Sequence, residues 1–207
     1  MTKTIYLDHL IRCYKKMYNA RLIDDTEMSL VKSGKANFLA SSAGHEGAAI
    51  FNECLITDDW LHCHYRDKPL MHSRGIPPEE FFYTSLTKAE GVSYGRQMVI
   101  GVSAKNHNIV SVITPVGNQA LPSVGIAHSI KYSPRNPIVY CGMGDGTTQQ
   151  GEVLEAFSEA KRYNLPVLFV VQDNGLAIST RTQGKTFYSL PGNKKVKGFY
   201  LSKNLFF

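Results

Sequence analysis

The sequence predicts an α/β fold, a parallel sheet with helices on both faces. Three observations predict it. From about residue 108 onward, short β-rich runs alternate with segments of helical period, the order expected of a parallel sheet built from crossover units. Two of those runs end in polar turns, Gly142-Met143-Gly144-Asp145-Gly146-Thr147 and Asp173-Asn174-Gly175. The second run, Val167 to Gln172, is almost wholly apolar, as a buried strand should be.

The elements follow in order. Asp8 to about Lys32 carries Leu10, Ile11, Tyr14, Met17, Tyr18 and Leu22 at helical spacing and reads as an amphipathic helix. Asp8 is placed to cap its start and Gly34 to stop it. A polar loop leads to a helix from about Glu46 to Leu55, and Pro77-Pro78 opens another through Glu79 to Leu86. Asn108 to Ile113 reads as a strand, Leu121 to Tyr132 as a helix, and Pro137 to Gly142 as a strand. Gly151 to Tyr163 is a helix with Val153, Leu154, Phe157 and Ala160 on one face, and Val167 to Gln172 the last strand. There are no internal repeats. One domain is expected over residues 1–192, with an atypical tail over 193–207 that ends in Ser202-Lys203-Asn204-Leu205-Phe206-Phe207.

Composition bounds the class. Hydrophobic residues make up 43% and charged residues 19% of 207, which suffices for a packed core and argues against wholesale disorder. No run of about 18 apolar residues occurs, so no membrane span is expected. Residues 1–16 mix charge with apolar side chains and lack a secretory core, so a cytoplasmic location is expected. The net charge of +6 is scattered, apart from Lys194, Lys195 and Lys197. A nucleic-acid binder concentrates its basic residues on one surface, so no nucleic-acid partner is expected. Cys13, Cys54, Cys63 and Cys141 form no C-x-x-C pair and read as reduced, mostly buried thiols.

The chemistry lies at the two strand ends. Successive parallel strands bring Asp145 and Asn174 within reach of one small ion. Both offer oxygen, which suits Mg²⁺ or Ca²⁺, and Mg²⁺ usually completes its shell with phosphate and water. Gly144 and Gly146 allow close backbone approach to a phosphate. The following helix presents its amide-rich end to the same place. Either turn alone reads as a tight turn; a dinucleotide turn lacks its third glycine, and there is no P-loop. His45 reads as a packed or exposed side chain. His62 and His64 share a face if extended, but lack a third ligand for a metal.

Taken together, Gly144-Asp145-Gly146, 26 intervening residues, and Asp173-Asn174 resemble the thiamine-diphosphate signature. The wording is closer still to one family. Gly144-Asp145-Gly146-Thr147-Thr148-Gln149-Gln150-Gly151-Glu152 and Asp173-Asn174-Gly175-Leu176-Ala177-Ile178-Ser179-Thr180 look like the alpha subunit of the decarboxylating component of 2-oxo acid dehydrogenases. Gly44-His45-Glu46-Gly47, Asp59-Trp60, Tyr65-Arg66-Asp67, Gly95-Arg96-Gln97-Met98 and Pro115-Val116-Gly117-Asn118-Gln119 follow the family's order. The resemblance spans roughly Tyr14 to Pro191.

It implies a thiamine-diphosphate-binding fold, C-terminally incomplete, with thiamine diphosphate and Mg²⁺ as cofactors. Asp145, Asn174 and the Leu176 carbonyl take the metal-binding positions. Tyr65 and Arg66 match a pair that reaches the cofactor, and an arginine fork suits a diphosphate. Thr114 and Val116 match the segment that meets the aminopyrimidine ring. Gly144, Gly146 and Thr147 match the diphosphate-binding turn. Asp173 stands where the family often has Asn and is expected to point away from the diphosphate. Gln172 replaces an arginine of some members. Gly101 aligns with a histidine usual in the family.

The resemblance places no catalytic residue in this chain, because the activating glutamate comes from a beta-type subunit or a fused downstream domain. A lipoyl acyltransferase component is the second implied partner. The implied activity is oxidative decarboxylation of a 2-oxo acid with acyl transfer to lipoamide. Gly95-Arg96-Gln97-Met98 and Ala177-Ile178-Ser179-Thr180 lean toward branched-chain members, with pyruvate and acetoin versions open. The alternative is a truncated, non-catalytic remnant that binds cofactor or a beta-type partner. A transketolase-like transferase shares only the metal signature.

Overall fold

The computed structural model describes residues 3–98 and 101–188. The chain divides into two compact units, one of Met1–Thr57 with Tyr65–Thr114, the other of Asp58–His64 with Pro115–Phe207.

The first unit is helical. Helix α1 runs Lys3–Lys32 and is followed by a 3-10 helix at Glu46–Cys54, then α2 at Lys68–Arg74 and α3 at Pro78–Ser85. Gly34 ends α1 as expected. It takes φ +73, while Gly34 N–H donates to the Val31 carbonyl and Lys35 N–H to the Leu30 carbonyl, the two bonds of a Schellman stop. Helix α1 starts at Lys3, so Asp8 lies inside it and caps nothing. The expected apolar face also turns out differently. Leu10, Ile11, Tyr14, Tyr18 and Leu22 are exposed, whereas Cys13, Ala20, Ile23, Asp24 and Glu27 are buried.

Charge pairing explains that inversion. Lys68, at the start of α2, is buried with its ammonium 2.5 Å from Glu27 Oε2 and 3.3 Å from Asp24 Oδ1. Ser85 of α3 donates to Glu27 Oε1 at 2.5 Å, and Ser41 and the Ser42 amide donate to Asp24 at 2.6 and 2.7 Å. A buried charge is tolerated only when paired and hydrogen-bonded in this way. Burial raises the Glu27 carboxyl above its ordinary range, and the nearby Lys68 offsets this only in part. For Asp24 burial acts in the same upward direction. The hydrogen bonds from Ser41 and Ser42 together with Lys68 outweigh it, leaving the carboxyl below the ordinary range.

The second unit is the α/β part. Strands β1 (Trp60–His62), β2 (Val139–Gly144) and β3 (Val167–Gln172) form a parallel sheet in that order. Helix α4 (Ala120–Ile130) precedes β2, and α5 (Gly151–Arg162) joins β2 to β3. Every residue of β2 is buried, and its Val139, Cys141 and Met143 pack with Ala120, Val124 and Ala127 of α4 and Val153 and Ala156 of α5. Each fully buried Val or Met among them contributes about 1.5–3 kcal/mol. Phe157 of α5 meets Phe169 of β3 edge to face, with centroids 4.6 Å apart. Glu152 in the first turn of α5 and Lys161 and Arg162 in the last suit its dipole.

Most sequence-derived elements stand within a few residues. The segment Asn108 to Ile113 does not form a strand. It makes a single antiparallel bridge, Ala104 to Ile109, and Val112 N–H donates to the Val102 carbonyl. With Asn108 in the left-handed region at φ 53, the backbone turns where a strand would run on. Strand β1, helix α2 and a small hairpin of β4 (Leu176–Ala177) and β5 (Thr180–Arg181) are additional. Cys13, Cys63 and Cys141 are buried, and Cys54 is exposed. Among the described residues no helix is long and apolar enough to cross a membrane. The basic cluster from Lys194 and the tail 193–207 lie outside the described residues.

Candidate functional site

The site grows from the end of β2. Six buried residues deliver the chain to Asp145, which is 1% exposed. The backbone then tightens into a 3-10 turn, Gly146–Gln149, before α5 starts at Gly151. Thr148 locks that turn by donating its amide (3.2 Å) and hydroxyl (2.7 Å) to the Asp145 carbonyl.

Beside it, β3 ends at Gln172, which pairs with Gly144. Two side-chain turns follow. Asp173 Oδ1 accepts from Gly175 N–H at 2.8 Å, and Asn174 Oδ1 accepts from Leu176 N–H at 2.9 Å. These turns reverse the chain into the β4–β5 hairpin. Asp173 is held on its other oxygen by the Tyr188 hydroxyl at 3.1 Å. Its carboxylate is therefore occupied by its own loop.

Two contacts fold the hairpin onto the Asp145 turn. Thr182, 6% exposed, donates its hydroxyl to Asp145 Oδ2, and its amide donates to the Gly175 carbonyl at 3.1 Å. Gly146 lies so close to Ala177 that a Cβ on it would stand 2.7 Å from the Ala177 Cβ. Glycine is required there by space. Gly144 is different, since a Cβ there would meet His64 Nε2 and Thr147 Oγ1 at 3.7 and 3.8 Å, ordinary contact distances.

The structure thus brings the Asp145–Thr147 turn against Ala177 and Thr182, with Gly144 paired to Gln172 just before it. Val116 is exposed and begins the turn into α4. Three residues on, the buried Gln119 donates its amide to the Gly142 carbonyl at 3.0 Å. Tyr65, Arg66 and Thr114 belong to the first unit. There the Arg66 guanidinium lies 5.0 Å from the centre of the Tyr65 ring, and the exposed Thr114 directs its hydroxyl to Met98 Sδ at 3.8 Å.

Sequence reasoning missed three neighbours. Thr182 and Tyr188 carry no motif, and only the folding-back of the hairpin makes them part of the site. His64 carries no signal in sequence beyond its neighbour His62, yet it is buried and faces Gly144. Burial pushes the Tyr188 hydroxyl strongly upward, reinforced by the negative charges of Asp173 and Asp145, so it remains a proton donor.

A buried acid thus stands in a glycine turn at the carboxyl edge of a parallel sheet, where ligands of such sheets gather. The chain belongs to the dehydrogenase E1 component family, which matches residues 14–199. The pyruvate dehydrogenase E1 component subunit alpha of Staphylococcus aureus is 30% identical over 180 residues, covering 86% of this chain and 46% of that relative. The subunit of the same name from Staphylococcus epidermidis is 29% identical over the same length and coverage. The chain therefore spans about half the length of the curated relatives it matches.

Proposed function

We propose that this chain is the cofactor-holding, alpha-type part of a 2-oxo acid dehydrogenase, with residues 1–192 as its thiamine-diphosphate-binding part. The buried Asp145 carboxylate beside the Asn174–Ala177 turn carries the reading. The donors fit a hard cation and a diphosphate. Asp145 supplies charge, Asn174 and the Leu176 carbonyl would supply neutral oxygens, and the missing Cβ of Gly146 lets the Ala177 turn pack against the Asp145 turn. Asp145, Asn174 and Leu176 would hold Mg²⁺. Gly144, Gly146 and Thr147 would present backbone to the diphosphate. Tyr65 and Arg66 would reach the phosphates, with Thr114 and Val116 at the aminopyrimidine ring.

When bound, thiamine diphosphate supplies the carbanion that attacks a 2-oxo acid and releases CO₂. This chain's residues bind and orient. Thr182 fixes the rotamer of Asp145, and Tyr188 and Gly175 keep the extra negative charge of Asp173 in its own loop. The proton-activating glutamate comes from a beta-type subunit or a fused downstream domain, and the acyl group goes to lipoamide on an acyltransferase partner, in the cytoplasm. The relatives' names favour pyruvate as substrate, while Gly95-Arg96-Gln97-Met98 favours a branched-chain 2-oxo acid. Gly101, in place of the family's histidine, supports a second reading in which the chain binds cofactor or a beta-type partner without turnover.

Calorimetric titration of thiamine diphosphate with Mg²⁺, on wild type and Asp145→Ala, with and without a beta-type partner, tests the proposal. Metal-dependent binding lost in the variant supports it. A folded chain that binds in no mixture refutes it. Binding with partner but no CO₂ release from either substrate class selects the second reading.

A further inference from the structure

Three side chains that the proposed cofactor chemistry leaves unused converge in the first unit. His9 and Cys13 lie one turn apart on the same face of α1. Glu53 comes from the 3-10 helix Glu46–Cys54. Cys13 Sγ is 3.7 Å from His9 Nε2, and His9 Nδ1 is 3.7 Å from Glu53 Oε2. One ligand atom from each of the three lies within 4.8 Å of the others.

The spacing has a chemical meaning. In a tetrahedral zinc site, Zn–S of about 2.3 Å and Zn–N of about 2.05 Å put sulfur and nitrogen about 3.6 Å apart. The Cys13–His9 Nε2 separation is that edge within about 0.1 Å, which makes Nε2 the ligating nitrogen; Glu53 Oε2, 3.7 Å from the opposite nitrogen Nδ1, reaches the ion by turning its side chain. A thiolate with an imidazole and one carboxylate is a borderline-soft donor set, which prefers Zn²⁺ to Mg²⁺. Cys13 is 6% exposed, whereas the side chains of His9 and Glu53 are 39% and 22% exposed. The sulfur thus forms the floor of the cluster, and the nitrogen and oxygen form an open side where water can complete the shell.

Glu53 is prepared for this role. Lys16 pairs with its Oε1, while Oε2 is the oxygen nearer His9. One oxygen can stay with Lys16 while the other meets a cation.

We propose that His9, Cys13 and Glu53 form a binding site for one Zn²⁺-class transition-metal ion, with its fourth position open to water. The ion displaces the Cys13 thiol proton to solvent and clips the N-terminal part of α1 to the Glu46–Cys54 segment.

Cobalt(II) is the probe, titrated into the untagged, reduced full chain with Mg²⁺ in excess to saturate oxygen-only sites. The expected result is a near-ultraviolet thiolate-to-cobalt band that saturates at about one ion per chain and is bleached by Zn²⁺. The band is lost in Cys13→Ser and kept in Cys54→Ser, the exposed neighbouring thiol. His9→Ala and Glu53→Gln each weaken binding about 10-fold or more. Circular dichroism confirms that each variant is folded, and the two partly exposed variants keep the test valid if Cys13→Ser does not fold. No band in folded wild type overturns the proposal. So does a band that depends on Cys54, or one indifferent to His9 and Glu53.

Discussion

The Thr182 hydroxyl donates to the buried Asp145 carboxylate across 37 residues of sequence. This bond ties the segment leaving β5 to the end of β2. It also restricts the rotamer of the acid that the proposed metal site depends on. Thr182→Val should lower Mg²⁺-dependent thiamine diphosphate affinity about 10–100-fold, the usual effect of losing a group that orients a ligand. Thr182→Ser should restore it. Calorimetry on both variants, with circular dichroism unchanged, separates positioning from general damage.

The two glycines of the turn should respond differently. A Cβ at Gly146 would stand 2.7 Å from the Ala177 Cβ, so Gly146→Ala must displace the hairpin. It should cost about 1–3 kcal/mol of stability and abolish cofactor binding. Gly144→Ala meets its neighbours at 3.7 Å and should unfold close to wild type without cofactor. Thermal unfolding of the two variants side by side makes the comparison.

Lys68 is the cation paired with two buried carboxylates, Asp24 and Glu27. Lys68→Met leaves both without a cation and should destabilise the chain by about 3–5 kcal/mol. Adding Glu27→Gln should recover part of the loss. Urea unfolding of the single and double variants gives the coupling directly.

Asp24 and Glu27 should oppose each other in pH dependence. The lowered Asp24 carboxyl contributes stability above the ordinary carboxylate range, lost as pH falls through its folded value. The raised Glu27 carboxyl does the reverse: its contribution is full below that range and is lost as pH rises through its folded value. The stability of Glu27→Gln relative to wild type should therefore improve from pH about 4 toward neutrality. A difference that stays flat over this interval would show that burial does not raise Glu27.

Ile178 sits at φ 56 and is fully exposed. A β-branched residue in the left-handed region costs about 1–3 kcal/mol, and no packing is lost when it is replaced. Ile178→Asn should raise the unfolding midpoint, read by thermal melt.

Much of the site could be read from the sequence because it is local. Val167–Gln172 needs no distant partner to be recognised as a strand, and the two turns announce themselves by Gly, Asp and Asn. Residues 60–62 escaped notice because three residues show no period, and their pairing with β2 lies far away in sequence. The helix α1 was legible by its period, but the face it buries was not. Lys68 draws Asp24 and Glu27 inward, leaving Tyr14 and Tyr18 outside, and nothing near α1 in sequence signals that lysine. Thr182 and Tyr188 were invisible for the same reason, since a hairpin brings them back to the strand ends.

Strand β3 carries a further consequence. Five of its six residues are apolar, none is charged, and among the described residues it pairs on one side alone, with β2. Such an outer strand is a template for other chains and sets an upper limit on the concentration at which newly made copies stay apart. Expression without whatever shields it should drive this chain into inclusion bodies, and co-synthesis with a shielding partner should rescue it.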